Sequence, residues 1–272
     1  MNDTPLGTPL GGLDAALVRQ TLLDAADIAA SMTLPRFRSA LAVDNKEARG
    51  FDPVTEADRE AELAIRKLLG DRFPDHSILG EEWEDKSGTT PFAWIIDPID
   101  GTRAFITGVP VWGTLIGLTV GGKAVAGLMA QPFTGEVYLS LPGEAGYYRG
   151  GEHLPLATSS VTDLGKAKMT ATSPDIFERS GTTDVWNAIR KSVLTTRYGL
   201  DCYGYALMAA GHIDIVVEAD LKNVDICPLI PIIENAGGVV TTWDGGPAEL
   251  GGNCVAAATP KLHAAALAVL RG

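Results

Sequence analysis

A chain of 272 residues with 46% hydrophobic and 21% charged side chains can bury one large core or two packed ones, which excludes intrinsic disorder. Its 34 acidic against 22 basic residues give a net charge of −12, with no Lys/Arg run to offset it, which argues against nucleic acid and anionic membranes as partners. An anionic substrate therefore needs local positive charge, and cations held by carboxylates are one source of it.

Apolar positions at helical spacing predict an amphipathic helix over residues 13–32. A loop over 45–53 follows, then a second helix over 55–69 with Ala61, Leu63, Ile65, Leu68 and Leu69 on its apolar face. The period then shortens. Apolar runs at 76–80 and 92–96 read as buried strands, and further strands are expected at 113–120, 123–129 and 136–140 between Gly-rich turns. This half reads as α+β, helices followed by an antiparallel meander. From about Gly150 strands at 168–171, 192–197, 213–217, 238–241 and 254–257 alternate with helices at 183–191, 203–210, 226–236 and 261–269. That is an α/β pattern, helices covering a sheet. Gly, Ser and Thr concentrate at 150–160, which divides the chain into 1–150 and 151–272.

Three widely spaced cysteines, Cys202, Cys227 and Cys254, suggest neither a disulfide framework nor a zinc knuckle. The first twelve residues lack the basic and apolar pattern of a signal peptide, and no apolar run is long enough to span a bilayer. A reducing cytoplasm is the expected setting. His76, His153, His212 and His263 show no paired metal spacing, and no nucleophile elbow, Walker loop or dinucleotide fingerprint opens a helix.

The chemistry concentrates in acidic positions. The apolar run reads as a buried strand ending at Asp97, where Pro98 is expected to stop the ladder; Ile99 and Asp100 follow, and Gly101-Thr102 open a short helix. Two carboxylates so close at a rigid strand end repel each other unless a cation lies between them. Mg²⁺ suits that position, because it takes oxygen ligands, among them a backbone carbonyl such as that of Ile99. The Gly101 and Thr102 amides at a helix start could cradle phosphate, although an Asp-Gly turn closing a strand is the plain alternative. Glu81 and Glu82 follow the strand ending at Gly80, where a loop carboxylate could reach the same cation or simply be solvated. Asp58, three residues after Thr55, fits a helix-capping box as well as a water-orienting acid. Asp225 precedes an apolar helix and could cap it. Lys46 and Arg103 could each meet a phosphate or a carboxylate, and Glu218 at a strand end could be exposed or touch substrate.

In combination these residues resemble the inositol monophosphatase superfamily. The matching pieces are Val54-Thr-Glu-Ala-Asp58, Gly80-Glu-Glu82, Asp97-Pro-Ile-Asp-Gly-Thr102, Asp225 and Glu234-Asn-Ala-Gly-Gly238, in the family's order across nearly the whole chain. The resemblance implies a layered αβαβα sandwich, a homodimer, and two or three Mg²⁺ ions held by Glu81, Asp97, the Ile99 carbonyl, Asp100 and Asp225. It also implies that Asp58, Thr102 and Glu81 direct the attacking water, that Gly101 and Thr102 bind phosphate, and that Glu218 touches the substrate's organic part. Arg103-Ala-Phe after Asp-Gly-Thr, Asp201-Cys-Tyr203 and Asp225-Ile-Cys-Pro look most like the histidinol-phosphate phosphatase branch, which acts in histidine biosynthesis. In that branch Asp201 and Glu218 would meet the amine or imidazole of a cationic substrate. The rival readings are an inositol phosphate or 3′-phosphonucleotide phosphatase of the same superfamily, or a regulatory protein that keeps the fold.

Overall fold

A computed structural model describes residues 9–39, 43–45 and 53–272 of the chain. Helix α1 (Ala15–Thr33) starts at Asp14, whose carboxylate accepts the Ala16 amide at 2.8 Å. A two-stranded antiparallel ribbon, β1 (Val43–Asn45) and β2 (Pro53–Thr55), leads into α2 (Glu56–Arg72). Next come β3 (Ser77–Gly80), β4 (Phe92–Asp100) and the short α3 (Thr102–Ile106). A meander follows: β5 (Gly113–Val120), β6 (Lys123–Gln131), β7 (Glu136–Leu141), β8 (Glu144–Arg149) and β9 (Glu152–Pro155). Strands β3 to β9 form a seven-stranded sheet in chain order, parallel at β3/β4 and antiparallel from β4 onward.

The rest of the chain gives β10 (Lys168–Ala171), α4 (Pro174–Arg179), α5 (Thr183–Ser192), β11 (Thr195–Tyr198) and α6 (Asp201–Ala209). It closes with β12 (Ile215–Leu221), α7 (Asn223–Ile226), α8 (Ile230–Asn235), β13 (Val239–Thr242), β14 (Gly252–Ala257) and α9 (Pro260–Leu270). The five strands make a mixed sheet in the order β11-β10-β12-β14-β13.

The apolar faces stack these elements into five layers, the αβαβα sandwich. Val18 and Leu22 of α1 and Ile65 and Leu69 of α2 bury against Trp94, Ile96, Ile116 and Leu128 on one face of the large sheet. Its other face, through Ile95, Leu115 and Met129, meets Tyr205 of α6 and Ile232 and Ile233 of α8, which in turn cover Val216 and Cys254 of the small sheet. Trp186 and Ile189 of α5 and Leu262 and Ala266 of α9 close the outer side. Each of these side chains is removed from water, a gain of roughly 1.5–3 kcal/mol apiece for the larger ones.

Two close contacts tie the C-terminal half to the large sheet. Gly117 and Gly127 are cross-strand partners. A Cβ at Gly127 would stand 1.9 Å from the Pro228 carbonyl oxygen, and one at Gly117 would stand 3.0 Å from Pro228 Cα. Only glycine lets the backbone just after α7 lie on the sheet, which carries Asp225 to the strand that bears Asp97.

Several expectations are corrected. The single helix over 226–236 is two, α7 and α8, because Pro228 and Pro231 cannot donate the amide bonds a continuous helix needs. Asp225 therefore does not precede a helix as its N-cap; it lies within α7, and its carboxylate folds back to accept the Lys222 amide at 2.7 Å. Pro98 does not end β4. The ladder shifts by one residue between Asp97 and Asp100 and resumes at Asp100 opposite Gly113. The large sheet continues past residue 150 to Pro155, and α4, β8 and β9 were not anticipated.

Candidate metal centre and substrate cleft

The bulge in β4 creates the site. Residues three apart on a regular strand point to opposite faces. Between Asp97 and Asp100, however, β4 advances three residues while β5 advances two, from Leu115 to Gly113. The extra residue restores parity and turns both carboxylates the same way. The Asp97 Oδ1 accepts the Ile99 amide at 3.0 Å, and the Thr114 hydroxyl donates to the Pro98 carbonyl at 2.8 Å, so the bulge is held at both ends. Asp100 Oδ2 accepts the Cys202 amide at 2.7 Å from the start of α6.

Asp225 joins this pair from the other half of the chain. One carboxylate oxygen from each of Asp97, Asp100 and Asp225 lies within 4.8 Å of the others. Burial pushes the Asp97 carboxyl well above the usual range, and the charges of Glu81, Asp100, Asp225 and Asp58 push it further. Asp100 is raised in the same way, by burial and then by Asp201 and Asp225. Oxygen donors that repel one another in a buried corner fit a hard divalent cation, so the cluster can hold a metal.

A cleft of about 390 Å³ opens over this corner. Of the described site residues named from the sequence, all but Asp58 and Glu82 line it: Glu81, Asp97, Ile99, Asp100, Gly101, Thr102, Arg103, Asp201, Glu218 and Asp225. Asp58 is 1% exposed and closes the capping box of α2, its Oδ2 accepting from the Thr55 amide at 2.8 Å and the Thr55 hydroxyl at 2.5 Å. It nonetheless stands close enough for its charge to raise Asp97. Lys46 lies outside the described residues.

One side of the cleft is built on the turn into α3. Gly101 has φ +82°, a left-handed conformation that favours glycine, and a Cβ there would stand 3.0 Å from Asp201 Oδ2. The Thr102 hydroxyl donates to the Ile99 carbonyl at 3.2 Å. Asp201 itself sits at φ +47° at the head of α6 and is raised to about 6 by burial, against the lowering influence of Thr172 and Arg103.

Glu218 of β12 also lines the cleft and is 2% exposed. Its Oε1 accepts the Thr172 amide at 2.7 Å and the Thr172 hydroxyl at 3.0 Å. Among the described residues its Oε2 is buried without a hydrogen-bond partner, and burial raises the group to about 8 despite the bonds from Thr172. Three further residues at the cleft, Thr172, Arg179 and Lys222, escaped sequence reading. Lys222 Nζ donates to Glu81 Oε1 at 2.9 Å. Its place three residues before Asp225 is the one sequence signal that could have pointed to it; Thr172 and Arg179 carry none.

The inositol monophosphatase family model matches residues 14–272. The bifunctional phosphatase IMPL2, chloroplastic, of Arabidopsis thaliana is 38% identical over 222 residues, covering 81% of this chain; the chain spans only 62% of that protein's length. The histidinol-phosphatase of Streptomyces coelicolor is 35% identical over 260 residues, covering 92% of this chain and 94% of that protein. A solved inositol monophosphatase from Zymomonas mobilis superposes with a TM-score of 0.83 at 36% identity, over 96% of this chain and 100% of that one.

Proposed function

The chain belongs to the inositol monophosphatase family of phosphoric monoester hydrolases, and from that premise we propose that it hydrolyses histidinol phosphate to histidinol and phosphate, with Mg²⁺ as its metal. The observation that carries the substrate is the Glu218 carboxyl on the cleft wall, whose Oε2 is buried and has no partner among the described residues. Such an oxygen is expensive to leave unsatisfied, and a cationic donor from a ligand relieves it while stabilising the ionised form. Histidinol phosphate brings an ammonium and an imidazole; inositol phosphate brings hydroxyls only. Asp201, on the same cleft, adds a second acceptor.

In this reading Asp97, Asp100 and Asp225, with Glu81 and the Ile99 carbonyl, hold the cations. When bound, Mg²⁺ supplies the Lewis acidity and positive charge that in-line attack of water on a phosphate monoester requires. The chain's own groups do the rest. The Gly101 and Thr102 amides and Arg103 hold the phosphate oxygens, the Thr102 hydroxyl and the Asp58 carboxylate orient the incoming water, and Glu218 with Asp201 fixes the organic part. No helix of the described residues is long and apolar enough to cross a membrane. A cytoplasmic homodimer in histidine biosynthesis completes the reading, and light scattering of the purified protein tests its oligomeric part.

The deciding experiment compares kcat/KM for histidinol phosphate and myo-inositol 1-phosphate in the wild type and in Glu218→Gln. A preference for histidinol phosphate that falls on the order of 10-fold in the variant is expected, the loss of one charge-assisted bond. Equal or better turnover of the inositol ester sinks the substrate assignment. Turnover of neither ester would count against the hydrolase reading as a whole.

A further inference from the structure

Glu62 is a charged side chain with no exposed surface, set on α2 one turn beyond Asp58. A carboxylate is so buried only where every oxygen is engaged. Its Oε1 accepts from Arg66 Nε at 2.7 Å, one turn further along the same helix. Its Oε2 reaches out of the helix and accepts the backbone amide of Glu82 at 2.8 Å. Arg66 then donates from its other nitrogen to the Trp83 carbonyl at 3.0 Å, and the Trp83 indole donates to the Arg59 carbonyl at 3.0 Å. Arg59, Glu62 and Arg66, on successive turns of α2, thus grip the segment that follows β3.

That segment contains Glu81, the residue between Gly80 and the gripped Glu82 amide. Glu81 lines the cleft, and after burial its charge is the largest influence raising Asp97. Gly80 completes the fit: a Cβ there would stand 2.0 Å from Glu62 Oε1 and 2.9 Å from an Arg66 nitrogen. The absence of a side chain at Gly80 is what lets the Glu62–Arg66 pair lie directly under the loop.

We propose that Glu62 is a positioning residue for the metal centre: by holding the Glu82 amide it fixes the loop that presents Glu81 to the cations. This rests on the metal-centre reading above. Glu62 touches neither substrate nor cation; it acts through Glu81, in the way groups behind metal ligands orient them, whose loss lowers metal affinity on the order of 10- to 100-fold. Asp97, Asp100 and Asp225 are held by the β4 bulge, α6 and α7 and do not depend on Glu62.

Calorimetric titration of the purified protein with Mn²⁺ and with Mg²⁺, in the wild type, Glu62→Ala, Glu62→Gln and Ile65→Ala, tests this. Ile65 is fully buried on the same helix but faces the core, so Ile65→Ala reports the effect of loosening α2 alone. Glu62→Ala is expected to lower metal affinity on the order of 10-fold or more, and its activity should recover as Mg²⁺ is raised. Glu62→Gln, which keeps an oxygen for the Glu82 amide, should fall between it and the wild type; it also carries the test if Glu62→Ala does not fold. Ile65→Ala should lower the melting temperature with metal affinity unchanged. Wild-type affinity in both Glu62 variants, or an equal loss in Ile65→Ala, overturns the positioning role. Failure of the wild type to bind either ion overturns the metal centre instead.

Discussion

Replacing Asp97 by Asn tests the cation cluster through stability rather than turnover. Asn keeps the size of the side chain and an oxygen to accept the Ile99 amide, which Asp97 Oδ1 accepts at 3.0 Å, so the bulge should survive. What it removes is charge. At an effective dielectric constant of about 20, two unit charges 4.8 Å apart repel by about 3.5 kcal/mol, and three carboxylates lie within that distance. The metal-free protein relieves part of this by keeping protons, since Asp97 and Asp100 are both raised well above the ordinary range. A raised carboxyl stabilises the fold below its unfolded-state value and loses that contribution as pH climbs through the folded one. Metal-free Asp97→Asn should therefore be more stable than the wild type by about 1–3 kcal/mol near pH 8, less near pH 5. That corresponds to several degrees in melting temperature for a chain of this size. Saturating Mg²⁺ should reverse the order, because a ligand at 100 times its Kd adds about 2.7 kcal/mol to the form that binds it and little to a variant that does not. Scanning calorimetry in EDTA and in excess Mg²⁺, at pH 5 and pH 8, reads both effects. A metal-free variant less stable than the wild type at pH 8, with the Mg²⁺ shift intact, would refute the reasoning.

Glu218 gives a pH dependence of the same sign. Its folded value near 8 lies above the ordinary 4.5, so the native state binds the proton more tightly and stability declines as pH rises between those values. The slope is roughly 1.4 kcal/mol per pH unit at most, and urea unfolding of Glu218→Gln in EDTA should lack that component. Parallel pH profiles for variant and wild type would contradict it. Gly101→Ala should lose about 1–2 kcal/mol, because φ +82° disfavours a Cβ and the new methyl meets Asp201 Oδ2 at 3.0 Å. Thermal unfolding checks the loss, and an unchanged melting temperature would show that this turn tolerates a side chain.

The chain's own sequence determined its alternation of apolar runs, and with it the layers. The strand at 113–120 is where its apolar run puts it, buried on both faces, and the helix expected over 55–69 runs from Glu56 to Arg72 with Leu63, expected on its apolar face, left exposed. Short or polar elements were not legible. Strand β9 is exposed along its whole length, and α4 spans six residues, too few for a period to show. The acidic set could be named because Asp97, Asp100 and Gly101-Thr102 fall in one contiguous run. Glu62 was not named: the helical period sets it beside Ile65 and Leu69 on the buried face of α2, but no motif says what a carboxylate there would hold.

What only the tertiary structure decided is convergence. A one-residue bulge turned Asp97 and Asp100 to the same side, and the glycine pair under Pro228 brought Asp225 to them from the far half of the chain. Register and close approach depend on cross-strand partners distant in sequence, which no local pattern encodes. The same dependence left the Glu218 oxygen behind Thr172 without a partner among the described residues, a consequence of packing between β10 and β12 rather than of any motif.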